Sequence, residues 1–309
     1  MISQRDAFWN KVYENARKDT DIVVISADMG APALDKFRKD IPSQFVNTGI
    51  AEQNTITLAA GLAMNGKKVF TYAIAPFITL RALEIIRVEN AIMNIPIVIV
   101  GVGGGYGYED SGPTHHLIED IAVMRSMPNI KIHSVTDARM AEEVADISCK
   151  TKDYTNYVRL ERKSYPSIYS ERPDFSRGFT ILKKSAENYI ISTGPMAHVA
   201  LAAADRLKEK GIDIGVIDMF TIPINEKEFV SVVKNAKKLV TLEEHFMAGG
   251  LGSAVCEVLA DNSLLLPVKR LAVPMDKGYN YVYGGRDVIR EYLGIDEDSA
   301  VRRIAEFIK

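Results

Sequence analysis

Apolar positions along the first half of the chain follow two alternating rhythms. Short unbroken runs at Ile22 to Ser26, Lys68 to Ile74, Ile97 to Val102, Lys131 to Ser134 and Asn156 to Leu160 have the length and β-branched content of strands buried on both faces. Between them, at about Gln4 to Arg17, Ala51 to Asn65, Leu80 to Asn94 and Ala138 to Lys150, apolar residues recur every three or four positions, which predicts helices. Phe45-Val46-Asn47-Thr48 reads as one more short strand. Strands alternating with helices predict a parallel sheet covered on both faces.

The rhythm stops in the polar, Pro- and Gly-containing stretch Arg172-Pro173-Asp174-Phe175-Ser176-Arg177-Gly178 and then restarts. Strands at Tyr189 to Ser192, Ile214 to Ile217 and Lys238 to Leu242 are interleaved with helices at Met196 to Lys210, Glu226 to Asn235 and Gly252 to Asp261. The expected fold class is therefore α/β with two doubly wound domains, a larger one over residues 1–178 and a smaller one over 179–309. Ser192-Thr193-Gly194-Pro195 and Gly249-Gly250-Leu251-Gly252 form tight turns before helices; neither follows the dinucleotide fingerprint, so close packing is the reading for their glycines.

Composition narrows the function classes. With 309 residues, 47% hydrophobic and 25% charged, the chain is long enough for two cores. A net charge of −2 leaves no basic face for a phosphate backbone, so nucleic acid is not an expected partner. The longest apolar run, Ile95 to Val102, contains Pro96 and is far too short to cross a bilayer, so no membrane association is expected. The opening Met-Ile-Ser-Gln-Arg-Asp lacks a signal-type apolar core, which points to the cytoplasm. Cys149 and Cys256 sit among apolar helix positions and read as buried thiols without a role.

Candidate chemistry gathers where strands end. Glu52, in Gly49-Ile50-Ala51-Glu52-Gln53, stands at a strand-to-helix joint. One reading is a first-turn acid favoured by the helix dipole. The other is a desolvated carboxyl that stays protonated and donates to a ring nitrogen. After the strand Lys68 to Ile74, Phe77 and Arg81 offer an aromatic face and a cation on the edge where ligands of open α/β sheets bind. The next strand runs into a glycine-rich loop, Gly101 to His116, whose spacing fits neither a P-loop nor a Rossmann turn. It carries Glu109, Asp110, His115 and His116, two of only five histidines. Adjacent histidines in an extended loop diverge, so proton transfer or hydrogen bonding to a hydroxylated substrate is a better reading than a metal site. Arg159-Leu160-Glu161-Arg162-Lys163 ends the last strand of this half, and Arg162 is a candidate for phosphate or carboxylate oxygens or for a surface salt bridge.

Taken together and in order, Gly-Ile-Ala-Glu-Gln at 49–53, the Phe77 to Arg81 loop, Gly-Pro-Thr-His at 112–115, Arg162, and Thr241-Leu242-Glu243-Glu244-His245 followed by Gly249-Gly250-Leu251-Gly252 resemble the pyrimidine-binding and C-terminal domains of transketolase. The resemblance covers essentially the whole chain. It implies thiamine diphosphate as cofactor, with Glu52 and Phe77 against the pyrimidine and Ile50 and Asp28 beside it. It also implies His115 as the substrate-loop histidine, with Asp110 and His116 next to it, and Arg162 and Arg5 as phosphate-binding residues. The implied activity is transfer of a two-carbon ketol unit from a ketose or ketose phosphate to an aldose.

The family's diphosphate domain, marked by Gly-Asp-Gly, is missing, which implies half of a split enzyme. The partner would be an N-terminal transketolase subunit holding the diphosphate and Mg²⁺, with self-association to a heterotetramer, and this chain itself would hold no metal. Two further departures concern the substrate. Ser111 stands where ordinary transketolases carry Asp four residues before the loop histidine, with Asp110 displaced by one, and the glycine run near Gly103 replaces an upstream histidine of the family. Other readings are the β subunit of a 2-oxo acid dehydrogenase first component, which shares a Glu-Gln at the helix start, and a non-catalytic regulatory or scaffolding relic.

Overall fold

The computed structural model describes residues 1–309. Its helices are α1 (Gln4–Ala16), α2 (Pro32–Asp40), α3 (Glu52–Met64), α4 (Ala75–Ile78), α5 (Leu83–Ile85), α6 (Asp120–Arg125), α7 (Ala138–Lys150), α8 (Met196–Glu209), α9 (Glu226–Val233), α10 (Leu251–Asp261), α11 (Arg286–Leu293) and α12 (Glu297–Ile308). The strands of the first half are β1 (Ile22–Ser26), β2 (Phe45–Asn47), β3 (Lys68–Ile74), β4 (Val98–Val102), β5 (Ile130–Ser134) and β6 (Thr155–Leu160). Those of the second half are β7 (Phe179–Lys183), β8 (Asn188–Ser192), β9 (Gly215–Met219), the two-residue β10 (Thr221–Ile222), β11 (Lys238–Phe246) and β12 (Val268–Val273).

Two compact units emerge. One comprises Met1–Gly107 and Val123–Arg172, the other Tyr108–Ala122 and Pro173–Lys309. The first holds an all-parallel sheet in the order β5-β6-β4-β3-β1-β2. β1, β4 and β6 are buried along their whole length, as unbroken apolar strands covered on both faces must be. On one side α1 begins at Ser3, whose hydroxyl accepts the Asp6 N–H, and it packs Phe8 and Trp9 edge-on against Phe70 and Tyr72 of β3.

The second unit has the order β12-β11-β8-β9-β7, parallel except for β7, which runs antiparallel to β9. β7 and β12 are absent from the sequence expectation. Three of β12's six residues, and four of β7's five, are only half-buried, and their mixed residues carry no clear period.

The expected helix over Leu80 to Asn94 is not a regular one. Only Leu83–Ile85 is α-helical; Ile86–Ile92 is a π-helix, in which the Met93 N–H reaches back five residues to the Val88 carbonyl. Buried Asn90 donates its carboxamide N–H to the Ile95 carbonyl, satisfying the chain where it turns toward β4. Periodicity at three and four residues does not distinguish α from π winding, and a side-chain hydrogen bond to the following loop is invisible to it.

Candidate active site

The first cluster lies at the carboxyl ends of β1 and β3, the edge where open parallel sheets bind ligands. The turn into α3 is built by side chains. The Asn47 carboxamide oxygen accepts the N–H groups of Gly49 at 2.9 Å and Asp28 at 3.2 Å, and its nitrogen meets the Asp28 carboxylate at 3.2 Å. Asp28, after β1, and Gly49, after β2, both take positive φ, 54° and 70°, so the chain bends sharply where it leaves each of these strands. Thr48 and Thr55 share a hydroxyl hydrogen bond of 2.7 Å, fixing the start of α3. Ile50 is left 78% exposed on the rim, while Glu52, two residues on, is only 3% exposed.

Glu52 is dry but not alone. Arg81 Nη1 donates to Glu52 Oε2 at 2.7 Å, and the guanidinium carbon lies 4.4 Å from the centre of the Phe77 ring. The Arg81 carbonyl accepts from Gln53 Nε2 at 3.0 Å, which ties the α3 start to this loop a second time. Phe77 sits half-buried on the single-turn α4, begun by Pro76. α4 reaches its place because β4 has glycine at 101: a Cβ there would come within 3.0 Å of Ala75. The sequence pattern places Glu52, Phe77 and Arg81 on one sheet edge, and they do meet; the ion pair is the added fact. A flat delocalised cation lies on the Phe77 face and hydrogen-bonds the acid. A planar nitrogen heterocycle would need the same two groups, so these residues fit a pyrimidine.

The glycine run has a packing role. A Cβ on Gly107 would lie 2.6 Å from the Gly103 Cα and 3.0 Å from the Glu161 carboxylate, and one on Gly104 would lie 3.2 Å from the Arg159 guanidinium. The loop thus folds tightly over β6, burying Arg159, which donates to Ser134 Oγ at 2.9 Å, and Glu161, whose N–H donates to Gln4 Oε1 at 3.0 Å. Of the cations at this strand end, Arg162 and Lys163 remain exposed. Arg5 lies next to Gln4 in sequence and forks onto Asp6, with Nε 2.9 Å from Oδ1.

The second cluster belongs to the other unit. His115 is half-buried, with Thr114 Oγ1 3.1 Å from Nδ1 and the Tyr108 ring 6.1 Å away, while Asp110 is exposed. His116 is only 4% exposed; burial pushes its pKa below the usual histidine range, against the raising influence of Glu109 and Glu244. The neighbours therefore diverge, and His115 is the one that reaches toward solvent. No group of three or more His, Cys, Asp or Glu is arranged to hold a metal ion. Cys149 is buried, its pKa pushed up to about 11 by desolvation, which makes it a poor nucleophile.

The Thr-Leu-Glu-Glu-His run turns out to be a buried polar network. Glu243 accepts the N–H groups of Leu251 and Gly252 at 2.6 and 2.8 Å, capping α10. Glu244 pairs with Arg286 and Arg290, both buried. Adjacent acids before a helix-opening glycine turn are a signal for such a cap, whereas the arginines, more than 40 residues on, are linked to Glu244 only by folding.

The family model for the transketolase pyrimidine-binding domain matches residues 1–167, and that for the transketolase C-terminal domain matches residues 179–299. An apulose-4-phosphate transketolase subunit of Phocaeicola vulgatus is 36% identical over 317 aligned residues, covering 100% of this chain and 98% of that one. A putative transketolase C-terminal section of Methanocaldococcus jannaschii is 36% identical over 314 residues, covering 99% and 96%. Among solved structures, a split-gene transketolase described as an inactive beta4 tetramer matches with a TM-score of 0.86 and 32% identity over 99% of this chain and 97% of that one. Spanned by two of its domain models and by relatives of its own length, the chain belongs to the transketolase family.

Proposed function

We propose that this chain is the C-terminal subunit of a split transketolase, moving a two-carbon ketol unit between a ketose, or ketose phosphate, and an aldose. The observation that carries the proposal is the joint placement of a dry Glu52 and the Phe77 ring around one flat guanidinium. Glu52 and Phe77 would hold the pyrimidine of thiamine diphosphate, which would supply the nucleophilic and electron-sink chemistry that ketol transfer needs. Glu52 would hydrogen-bond the pyrimidine in place of Arg81, Phe77 would give it a stacking face, and Ile50 and Asp28 would border it. His115, with Asp110 and His116 near it, hydrogen-bonds substrate hydroxyls, and the exposed Arg162, with Arg5, takes phosphate oxygens. Residues 1–178 act as the pyrimidine-binding module and 179–309 as the C-terminal one.

The diphosphate and Mg²⁺ belong to a separate N-terminal subunit, a reading supported by relatives of this chain's own length that are named as a transketolase subunit and a split-gene transketolase. The inactive tetramer described for the split-gene relative, built of one chain type, supports this need for a second subunit. The assembly is a heterotetramer in the cytoplasm. Apulose 4-phosphate, the sugar named for the Phocaeicola vulgatus relative, heads the donor screen. The test is proton exchange at C2 of the cofactor bound to the reconstituted complex, followed by NMR. Glu52→Gln should slow exchange by at least about a hundredfold at unchanged thermal stability. Exchange within a factor of about three of the wild type would remove Glu52 from the mechanism.

A further inference from the structure

Residues Tyr108–Ala122, which carry His115, group with the C-terminal unit and not with the sheet from which they emerge. Their attachment points are specific. The Ala122 N–H, in α6, donates to His245 Nε2 at 3.2 Å, and the Ile118 carbonyl accepts the Phe246 N–H at 2.8 Å. Tyr279 packs edge-on against Phe246, 5.6 Å between ring centres, and its phenol hydrogen-bonds the Glu119 carboxylate, which raises the tyrosine pKa. Tyr283, 66% exposed, brings its hydroxyl within 3.5 Å of where a Cβ on Gly112 would stand. Gly249 leaves the room: a Cβ there would come within 2.5 Å of the Ala122 Cβ. The segment is thus fastened from Ile118 to Ala122, beginning three residues after His115.

The hydrogen-bond partners of His245 select one tautomer. Its Nδ1 lies 2.7 Å from the Phe246 carbonyl, an acceptor only, so Nδ1 carries the hydrogen and Nε2 offers a lone pair to Ala122. The ring is completely buried.

We infer that the C-terminal unit is the mount of the substrate loop, and that His245 and Tyr279 are positioning residues that set where His115 meets the sugar. This rests on the transketolase reading, in which His115 faces substrate. A loop held in place lowers the entropy lost when substrate binds. Loosening it weakens steps that involve the sugar and leaves cofactor activation intact.

The experiment uses the complex reconstituted with the N-terminal subunit, with xylulose 5-phosphate and 3-hydroxypyruvate as alternative donor probes. Three readouts are taken: KM and kcat, C2 proton exchange, and hydrogen–deuterium exchange of peptides within 108–122 and 52–64. His245→Ala should raise donor KM about tenfold, leave C2 exchange within about twofold, and speed amide exchange in 108–122 but not in 52–64. Tyr279→Phe should do the same to a smaller degree. His245→Gln, whose amide oxygen reaches the Nε2 position, should restore KM; His245→Asn, too short, should not. Should His245→Ala fail to fold, the Gln and Asn pair and Tyr279→Phe carry the same comparison. Unchanged amide exchange in 108–122, or C2 exchange that falls in step with turnover, overturns the inference. A wild-type complex that exchanges C2 but transfers no ketol unit from either donor or from apulose 4-phosphate instead sinks the transketolase reading, while amide exchange still decides the mount.

Discussion

Glu52 and Arg81 place a charged pair on the carboxyl edge of the sheet, where sequence alone offers a lone acid. With Glu52 3% and Arg81 45% exposed, the pair has one dry partner and one wet one, so losing the guanidinium leaves a buried acid uncompensated until another donor takes its place. Residue-scale electrostatics also set acid sensitivity. His133 in β5 is buried against Asn156, 2.8 Å from Nε2 to Oδ1, and burial lowers its pKa from 6.5 to about 4. A folded-state value below the unfolded one means the unfolded chain takes the proton first. The stability His133 permits is complete above pH 6.5 and is lost as pH falls from there toward 4, with a slope approaching about 1.4 kcal/mol per pH unit. Urea denaturation at about pH 7, 5.5 and 4.5 should give a shallower pH dependence for His133→Gln than for the wild type; parallel curves would assign the acid sensitivity to other groups.

Elements are joined here by a few polar side chains that serve two masters. Asp137 caps α7 by accepting the Met140 N–H at 2.8 Å with one oxygen, and with the other accepts the Ile168 and Tyr169 N–H groups at 2.8 and 3.0 Å. The residue is fully buried, so removal orphans three donors. Asp137→Ala should cost about 2–4 kcal/mol in chemical denaturation, beyond the ~1 kcal/mol typical of losing an N-cap alone, and Asp137→Asn should recover part of it. A loss no larger than a cap's would mean that the 168–169 segment holds itself. Asp137 before an amphipathic helix is legible as a cap from sequence. Its second attachment, about 30 residues downstream, is not.

For the molecule as a whole, the chain forms two α/β units, and the proposed reading gives it half of a site that a second subunit completes. No helix is long and apolar enough to cross a membrane. The purified chain alone should therefore show no ketol transfer with added thiamine diphosphate and Mg²⁺, and should gain at least about a thousandfold on mixing with the N-terminal subunit. Transfer by the isolated chain at rates near those of the mixture would refute the split-enzyme assignment.

Hydrophobic rhythm determined the two parallel-sheet units and most of their elements, because burial on both faces of a strand dictates an unbroken apolar run wherever it occurs. Local spacing likewise put Glu52 at a helix start and Phe77 and Arg81 at a strand end, since each follows from its immediate neighbours. Only the tertiary structure decided that Arg81 pairs with Glu52, that the glycine run packs over Arg159 and Glu161, and that the His115 loop is fastened to His245 and Tyr279. Those contacts join residues from 29 to 160 positions apart. No periodicity extends over such distances; what selects them is the three-dimensional demand that every buried charge and N–H find a partner.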